Sequence, residues 1–203
     1  MKRYQQTEVR ELAEILKNDG VISVPTDTVY GVCARMDSEK AQERLRKVKN
    51  RPEEKAFPIM CRDKEQMKEI AVLSEEAEVL IDTFMPGPLT IILKKKQSVA
   101  SFVNGGMPTL ALRMATSEPL RRLIEETGCP IFLTSANQSG EKTARSLDEI
   151  EEACPLLDAM MIGDTEFGQA STIVDCTDKI RILRNGPISE EDIRNVLKEK
   201  MHA

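Results

Sequence analysis

The chain has 203 residues, of which 40% are hydrophobic and 31% charged, and its formal net charge is −5. The length suits one good-sized α/β core, the composition excludes a chain disordered throughout, and the acid excess argues against a general affinity for nucleic acid. No apolar run approaches the roughly 18 residues of a membrane span, and Met1-Lys2-Arg3-Tyr4 leads into a polar, helix-like segment rather than a signal core, so a cytoplasmic protein without a membrane partner is expected.

Val9, Leu12, Ala13 and Leu16 recur at helical spacing and Asn18-Asp19-Gly20 supplies a stop, which predicts an opening amphipathic helix. Val21 to Val24 reads as a buried strand that empties at Pro25 into the hydroxyl-rich loop Thr26-Asp27-Thr28-Val29-Tyr30-Gly31. Ser38 caps a second helix with Ala41, Leu45 and Val48 inward, and Pro52 enforces its end because the residue before a proline is driven out of the helical region. Phe57 to Met60 is a short strand, which Pro58 places at a sheet edge. Ser74 opens a helix carrying Ala77, Leu80, Ile81 and Phe84, and Leu89 to Leu93 is the next strand. From Thr109 to Met114 the pattern alternates, so Thr109, Ala111 and Arg113 share the face opposite Leu110, Leu112 and Met114. Ser117 to Thr127 is a helix closed by Gly128, followed by the strand Ile131 to Thr134 and the loop Ser135-Ala136-Asn137-Gln138-Ser139-Gly140. Ser146-Leu147-Asp148-Glu149 has the form of a capping box; beyond it Ala159 to Ile162, Ser171 to Asp175 and Ile180 to Leu183 read as strands. Helices and strands interleave to the end without a repeat or linker. The expected fold is α/β (α+β), a single domain over residues 1–203 with a core of about 8–187, a closing helix at 189–200 and a twisted mixed β-sheet flanked by helices.

Cys33, Cys61, Cys129, Cys154 and Cys176 are odd in number, widely spaced and free of any C-x-x-C pair, which fits reduced, buried side chains better than a disulfide framework or zinc ribbon. The sole histidine is His202, beside the C-terminus, so Ser-His-Asp, Cys-His and His-zinc chemistry lack a positioned imidazole. An enzyme of this composition works with cations and hydroxyls. Arg44, Arg46, Lys47, Lys49, Arg51 and Lys55 crowd one segment, a local basic site that suits a nucleotide triphosphate. Lys49 and Arg51 also complement the negative end of the helix they close, which is the bland account of them. Arg113, inside an alternating strand, must reach solvent or find an anion, and Arg184 ends its apolar strand in the same position. The loops at 26–31 and 135–140 follow buried strands, where open α/β sheets bind ligands, although the same residues also favour turns. Ser139-Gly140-Glu141-Lys142-Thr143 lacks the glycine spacing of a P-loop. By themselves the residues describe a cationic, hydroxyl-lined anion site.

In this order, Val24-Pro25-Thr26-Asp27-Thr28-Val29-Tyr30-Gly31, Lys49-Asn50-Arg51-Pro52, Pro86-Gly87-Pro88-Leu89-Thr90, Leu112-Arg113, Thr134 to Gly140, Ser171-Thr172-Ile173-Val174-Asp175 and Leu183-Arg184-Asn185-Gly186 resemble the YrdC-like family over about residues 21 to 187. The resemblance implies an L-threonylcarbamoyladenylate synthase that serves threonylcarbamoyladenosine modification of tRNA. Its substrates would be ATP, L-threonine and bicarbonate, with Mg2+ on the triphosphate: threonine and bicarbonate yield an N-carbamoyl species whose oxygen attacks the α-phosphate and expels pyrophosphate. It implies Lys49 and Arg51 as catalytic cations; Lys55, Thr109, Ser135, Asn137, Thr143 and Arg184 beside them as ATP ligands; and Thr28, Arg113 and Ser171 around threonine, with Leu133 or Met60 as the wall for its methyl group. Asn50 stands where the family often has glycine, Met60 where a histidine is common, and Gln169-Ala170 where an acid is common; Phe57 to Asp63 is similar to the YciO-like branch. The length resembles the short form, whose labile product passes to separate threonylcarbamoyl transferase proteins. Two rival readings are another carbamoyl-adenylating enzyme, which would follow carbamoyl phosphate rather than threonine, and a non-catalytic factor holding tRNA or double-stranded RNA, which zero Trp and two Tyr serve poorly as stacking platforms.

Overall fold

The computed structural model describes residues 1–201; the lone histidine, His202, lies outside the described residues. The helical periodicity at the start of the chain is realised in α1 (Val9–Lys17), which buries Val9, Leu12, Ala13 and Leu16. Around it the chain forms β1 (Lys2–Tyr4), β2 (Ile22–Val24), β3 (Gly31–Arg35), α2 (Glu39–Lys49), β4 (Ile59–Cys61), α3 (Lys64–Ile70), β5 (Ala71–Val72), α4 (Glu75–Phe84) and β6 (Leu89–Lys95). The second half supplies β7 (Thr109–Met114), α5 (Glu118–Thr127), β8 (Ile131–Ser135), α6 (Leu147–Ala153), β9 (Ala159–Met161), β10 (Thr172–Asp175), β11 (Arg181–Arg184) and α7 (Glu190–Met201). The serine caps predicted at Ser38, Ser74 and Ser146 form, and Ser117, read as the first helical residue, is a fourth: each hydroxyl accepts the backbone N–H three residues on, satisfying a donor that the helix start leaves open.

One mixed sheet runs β1-β9-β2-β3-β8-β4-β7-β6-β10-β11, with β5 added to β6. Its two faces are covered unequally, and this creates the site. One face carries a continuous apolar layer in which Leu45 and Val48 of α2, Met67 of α3, Leu80 and Ile81 of α4, Ile150 of α6 and Ile193 of α7 pack against Val32, Phe132, Ile59, Leu112 and Ile91. On the other face α1 and α5 cover only part of the sheet, closing over Ile22, Cys33, Met60, Ile131 and Leu133. Beyond Leu133 that face is open, and the residues of β7, β6 and β10 that alternation turns toward it line a cavity.

One expectation fails and two strands carry no local signal, each for an identifiable reason. The strand after Phe57 is not at an edge: β4 lies between β7, parallel, and β8, antiparallel. Pro58 stands just before it, where a missing N–H removes no ladder bond, while its carbonyl accepts from Leu133 N at 2.9 Å. β3 gives no local signal because it is paired on both sides and buried on both faces, which erases alternation. β1, three residues long and just ahead of the polar, helix-like segment, is too short to show alternation; it pairs parallel with β9. All five cysteines are free and buried, as expected.

Candidate active site

The two short runs meet at the C-terminal end of α2. Asn50 is its C-cap, with φ 46° and ψ 48° in the left-handed region. Asparagine tolerates that region better than other non-glycine residues, which accounts for its standing where glycine is often found. Asn50→Gly is therefore expected to leave stability within about 0.5 kcal/mol and Asn50→Val to cost about 1–3 kcal/mol, read from calorimetric Tm. The cap turns the chain so that Lys49 points inward: only 1% of it is exposed. Its Nζ donates to the Ser135 carbonyl and to Asn137 Oδ1 at 3.0 Å. The loop that receives it is fastened to the same helix end, since Ser139 N donates to Lys49 O at 2.9 Å and Gln138 Nε2 to Val48 O at 3.0 Å. An ammonium has three N–H donors, so one remains for a ligand. Burial, with the nearby Arg51 charge, pushes the Lys49 ammonium down to about 8.

Asn137, expected as an ATP ligand, is held by its own neighbours. Its Oδ1 accepts from Lys49 and from Ser135 Oγ at 2.6 Å, and its Nδ2 donates to the Gln138 and Glu141 carbonyls. With its amide engaged on all sides, Asn137 positions Lys49. Arg51 stacks over the Phe57 ring at 4.9 Å and donates to the Lys55 and Ala56 carbonyls, and burial lowers its guanidinium from the ordinary value. Lys55 contributes that carbonyl while its own side chain is exposed.

The cavity of about 190 Å³ is lined by Thr28, Arg113, Leu133, Ser135, Ser171 and Arg184 among others, so six of the expected residues do converge. Thr90 joins them, its hydroxyl 2.7 Å from Ser171 Oγ. Alternation with Ile92 in the predicted strand carried the signal for it. Arg184 donates to the Ser171 carbonyl at 2.9 Å and to its hydroxyl at 3.2 Å; burial and the neighbouring Arg113 charge lower its guanidinium. Arg113 donates to Thr28 Oγ1 at 3.1 Å, to the Gly87 carbonyl at 3.1 Å and to both oxygens of Asp27, at 2.8 and 3.1 Å. Asp27 was not among the expected site residues, and nothing local to a turn loop signals a partner 86 positions away.

The other seven expected residues do not line this cavity: Lys49, Arg51, Lys55 and Asn137 stay at the end of α2, joined to it through Ser135, and three lie elsewhere. Met60 shares the sheet face of Arg113, directly opposite it in register, but is sealed under α5 in the apolar layer and does not line the cavity; Leu133 is the apolar wall. Thr109 sits four positions along β7 from Arg113, outside the cavity, its carbonyl accepting from Asn104 Nδ2. Thr143 lines a second cavity of about 740 Å³ with Tyr30, Lys142 and Arg145, and Val29 borders both cavities.

A family model described as telomere recombination and covering the Sua5, YciO and YrdC proteins matches residues 14–186. The chain belongs to the Sua5/YciO/YrdC family. A Pyrococcus abyssi relative named threonylcarbamoyl-AMP synthase is 34% identical over 98% of this chain and 59% of its own length. The solved structure of P. abyssi Sua5 complexed with L-threonine superposes with a TM-score of 0.90 at 32% identity, covering 98% of this chain and 61% of that one. Escherichia coli YciO follows with a TM-score of 0.84 at 25% identity over 95% and 98% of the two chains. The chain thus spans about three fifths of the length of the Pyrococcus protein. The mixed sheet and its helices are those of the Sua5/YciO/YrdC fold, as the motif order implied.

Proposed function

We propose that this chain is an L-threonylcarbamoyladenylate synthase, converting L-threonine, bicarbonate and ATP into threonylcarbamoyl-AMP, pyrophosphate and water, for threonylcarbamoyladenosine modification of tRNA. One observation carries the reading. Lys49, Arg51 and Arg184 are each held by neutral oxygens rather than by a carboxylate among the described residues, and burial disfavours the charge of all three. Cations left in that state recover free energy when an anion arrives. The names of the Pyrococcus relative and of its threonine complex support the choice of anion and amino acid.

The proposed chemistry needs positioning and charge, not an acid–base histidine. The threonine nitrogen joins the carbon of bicarbonate with loss of water, and an oxygen of the new N-carboxylate attacks the α-phosphorus. The bond to the β-phosphate's bridging oxygen breaks and pyrophosphate leaves with the electron pair. Charge then grows on the leaving group and the equatorial oxygens, where Lys49, Arg51 and Arg184 act. Thr28, Arg113 and Ser171 would hold threonine, with Leu133 against its methyl group, and Ser135 would face the nucleotide. Magnesium is proposed to enter on the triphosphate as part of the nucleotide substrate; among the described residues no cluster of three or more His, Cys, Asp or Glu side chains suited to a metal occurs. The labile product would pass to a separate transferase in the cytoplasm. No helix among the described residues is long and apolar enough to cross a membrane.

If Lys49 must be charged to bind the triphosphate, kcat/KM for ATP falls above about pH 8, the value to which burial brings it. Lys49→Arg, which cannot lose its proton in this range, abolishes that alkaline limb even if its rate is lower. The reading is tested by pyrophosphate release from ATP, magnesium and bicarbonate with and without L-threonine.

A further inference from the structure

Arg113 is held from behind. Asp27 does not line the cavity; it borders a neighbouring pocket with Pro25, Thr116 and Ser117, and Thr26 lines both. The pair is buried, with side chains 10% and 8% exposed. Asp27 and the Gly87 carbonyl occupy Nη2, Thr28 occupies one hydrogen of Nη1, and Nε is buried with no partner. A guanidinium has five N–H donors, so Nε–H and one Nη1–H remain unspent. Asp27 is itself fixed through its backbone: its N–H donates to Thr116 Oγ1 at 3.4 Å, and its carbonyl accepts from Glu166 N at 3.0 Å and Phe167 N at 2.8 Å.

We propose that Asp27 is the positioning residue of the substrate-carboxylate site, fixing Arg113 and neutralising it so that the cavity selects an amino-acid zwitterion over an inorganic anion. The inference rests on the threonine reading of the cavity. Without Asp27, Arg113 and Arg184 would present two net positive charges at this end of the cavity; with it they present one. A single carboxylate that brings its own ammonium suits the second arrangement, whereas a divalent oxyanion suits the first. The free donors of Arg113 supply direction, and Asp27 sets which of them face the ligand.

The test is calorimetric titration of L-threonine and of sulfate into the parent protein, Asp27→Asn and Asp27→Glu at one pH and ionic strength. Asp27→Asn keeps an acceptor for Nη2 but removes the charge. Its sulfate affinity is expected to rise at least about fivefold while threonine affinity does not rise, lowering threonine-over-sulfate selectivity at least about tenfold. Unchanged affinities, or equal factors for both ligands, overturn the proposal. Asp27→Glu keeps the charge but displaces Arg113; it is expected to weaken threonine with sulfate unchanged, and decides the matter by the same criterion should Asp27→Asn fail to fold. If the parent protein binds no threonine, the functional reading fails, and the sulfate titrations alone judge Asp27: a rise in Asp27→Asn supports the neutralising role and no change overturns it.

Discussion

Replacing Lys49 by methionine removes turnover while leaving the folded chain close to its original stability. The side chain is almost wholly buried and its ammonium is pushed down to about 8, so the charged form is tolerated rather than favoured. The sign follows from linkage. A lysine whose folded value lies below its unfolded one costs stability throughout the range where it is charged in both states, and that cost fades as pH rises from about 8 toward 10.5. Methionine keeps most of the volume and removes the buried charge, while the Ser135 carbonyl loses its donor. These effects oppose each other, and Tm at pH 7 is expected to move by only a few degrees, about 3 or less. Turnover in the proposed reaction has no such compensation: loss of a cation proposed to meet the departing phosphate is expected to cost about 100-fold or more. A large loss of Tm with normal turnover would make Lys49 a structural residue.

Arg113→Ala behaves oppositely, losing stability and activity together. It leaves the Asp27 carboxylate buried without its partner, which costs about 3–5 kcal/mol and lowers Tm by roughly 10 °C for a chain of this size. The double variant Asp27→Ala with Arg113→Ala removes both charges and is expected to recover most of that Tm. It does not recover pyrophosphate release, because the group expected to hold the substrate is still absent. The cycle separates the two roles of one guanidinium. A double variant no more stable than Arg113→Ala would show that the ion pair is not what the single substitution breaks.

The contrast between these two cations shows what was legible in the sequence. The amphipathic spacing of Val9 to Leu16 and the serine caps act over one helical turn, so they could be read locally. The same holds for Arg113 on the face of Ala111. The junction of Lys49 with Ser135 and Asn137 spans 86 and 88 positions, and the residues themselves read equally well as a helix-end charge and a turn. Their meeting depends on β3, which was not foreseen: its Gly31 lies opposite Ser135 in register, and Ala136 N donates to Tyr30 O at 2.8 Å. Motif order carried the family where local pattern could not.

Met60 marks a second limit. The β4–β7 register puts it beside Arg113, but only the packing of α5 decides whether a position on that face lines a cavity or a core. Asp27 marks a third: in a turn loop an acid is explained by turn chemistry alone, and its buried partner becomes visible only when β7 is brought against the loop.

The most direct measurement of the central claim is pyrophosphate release by the purified protein with ATP, magnesium and bicarbonate, in the presence and absence of L-threonine. Release that requires threonine and disappears in Lys49→Met is the predicted result. Release indifferent to threonine, or none from protein whose fold is intact, would contradict the account.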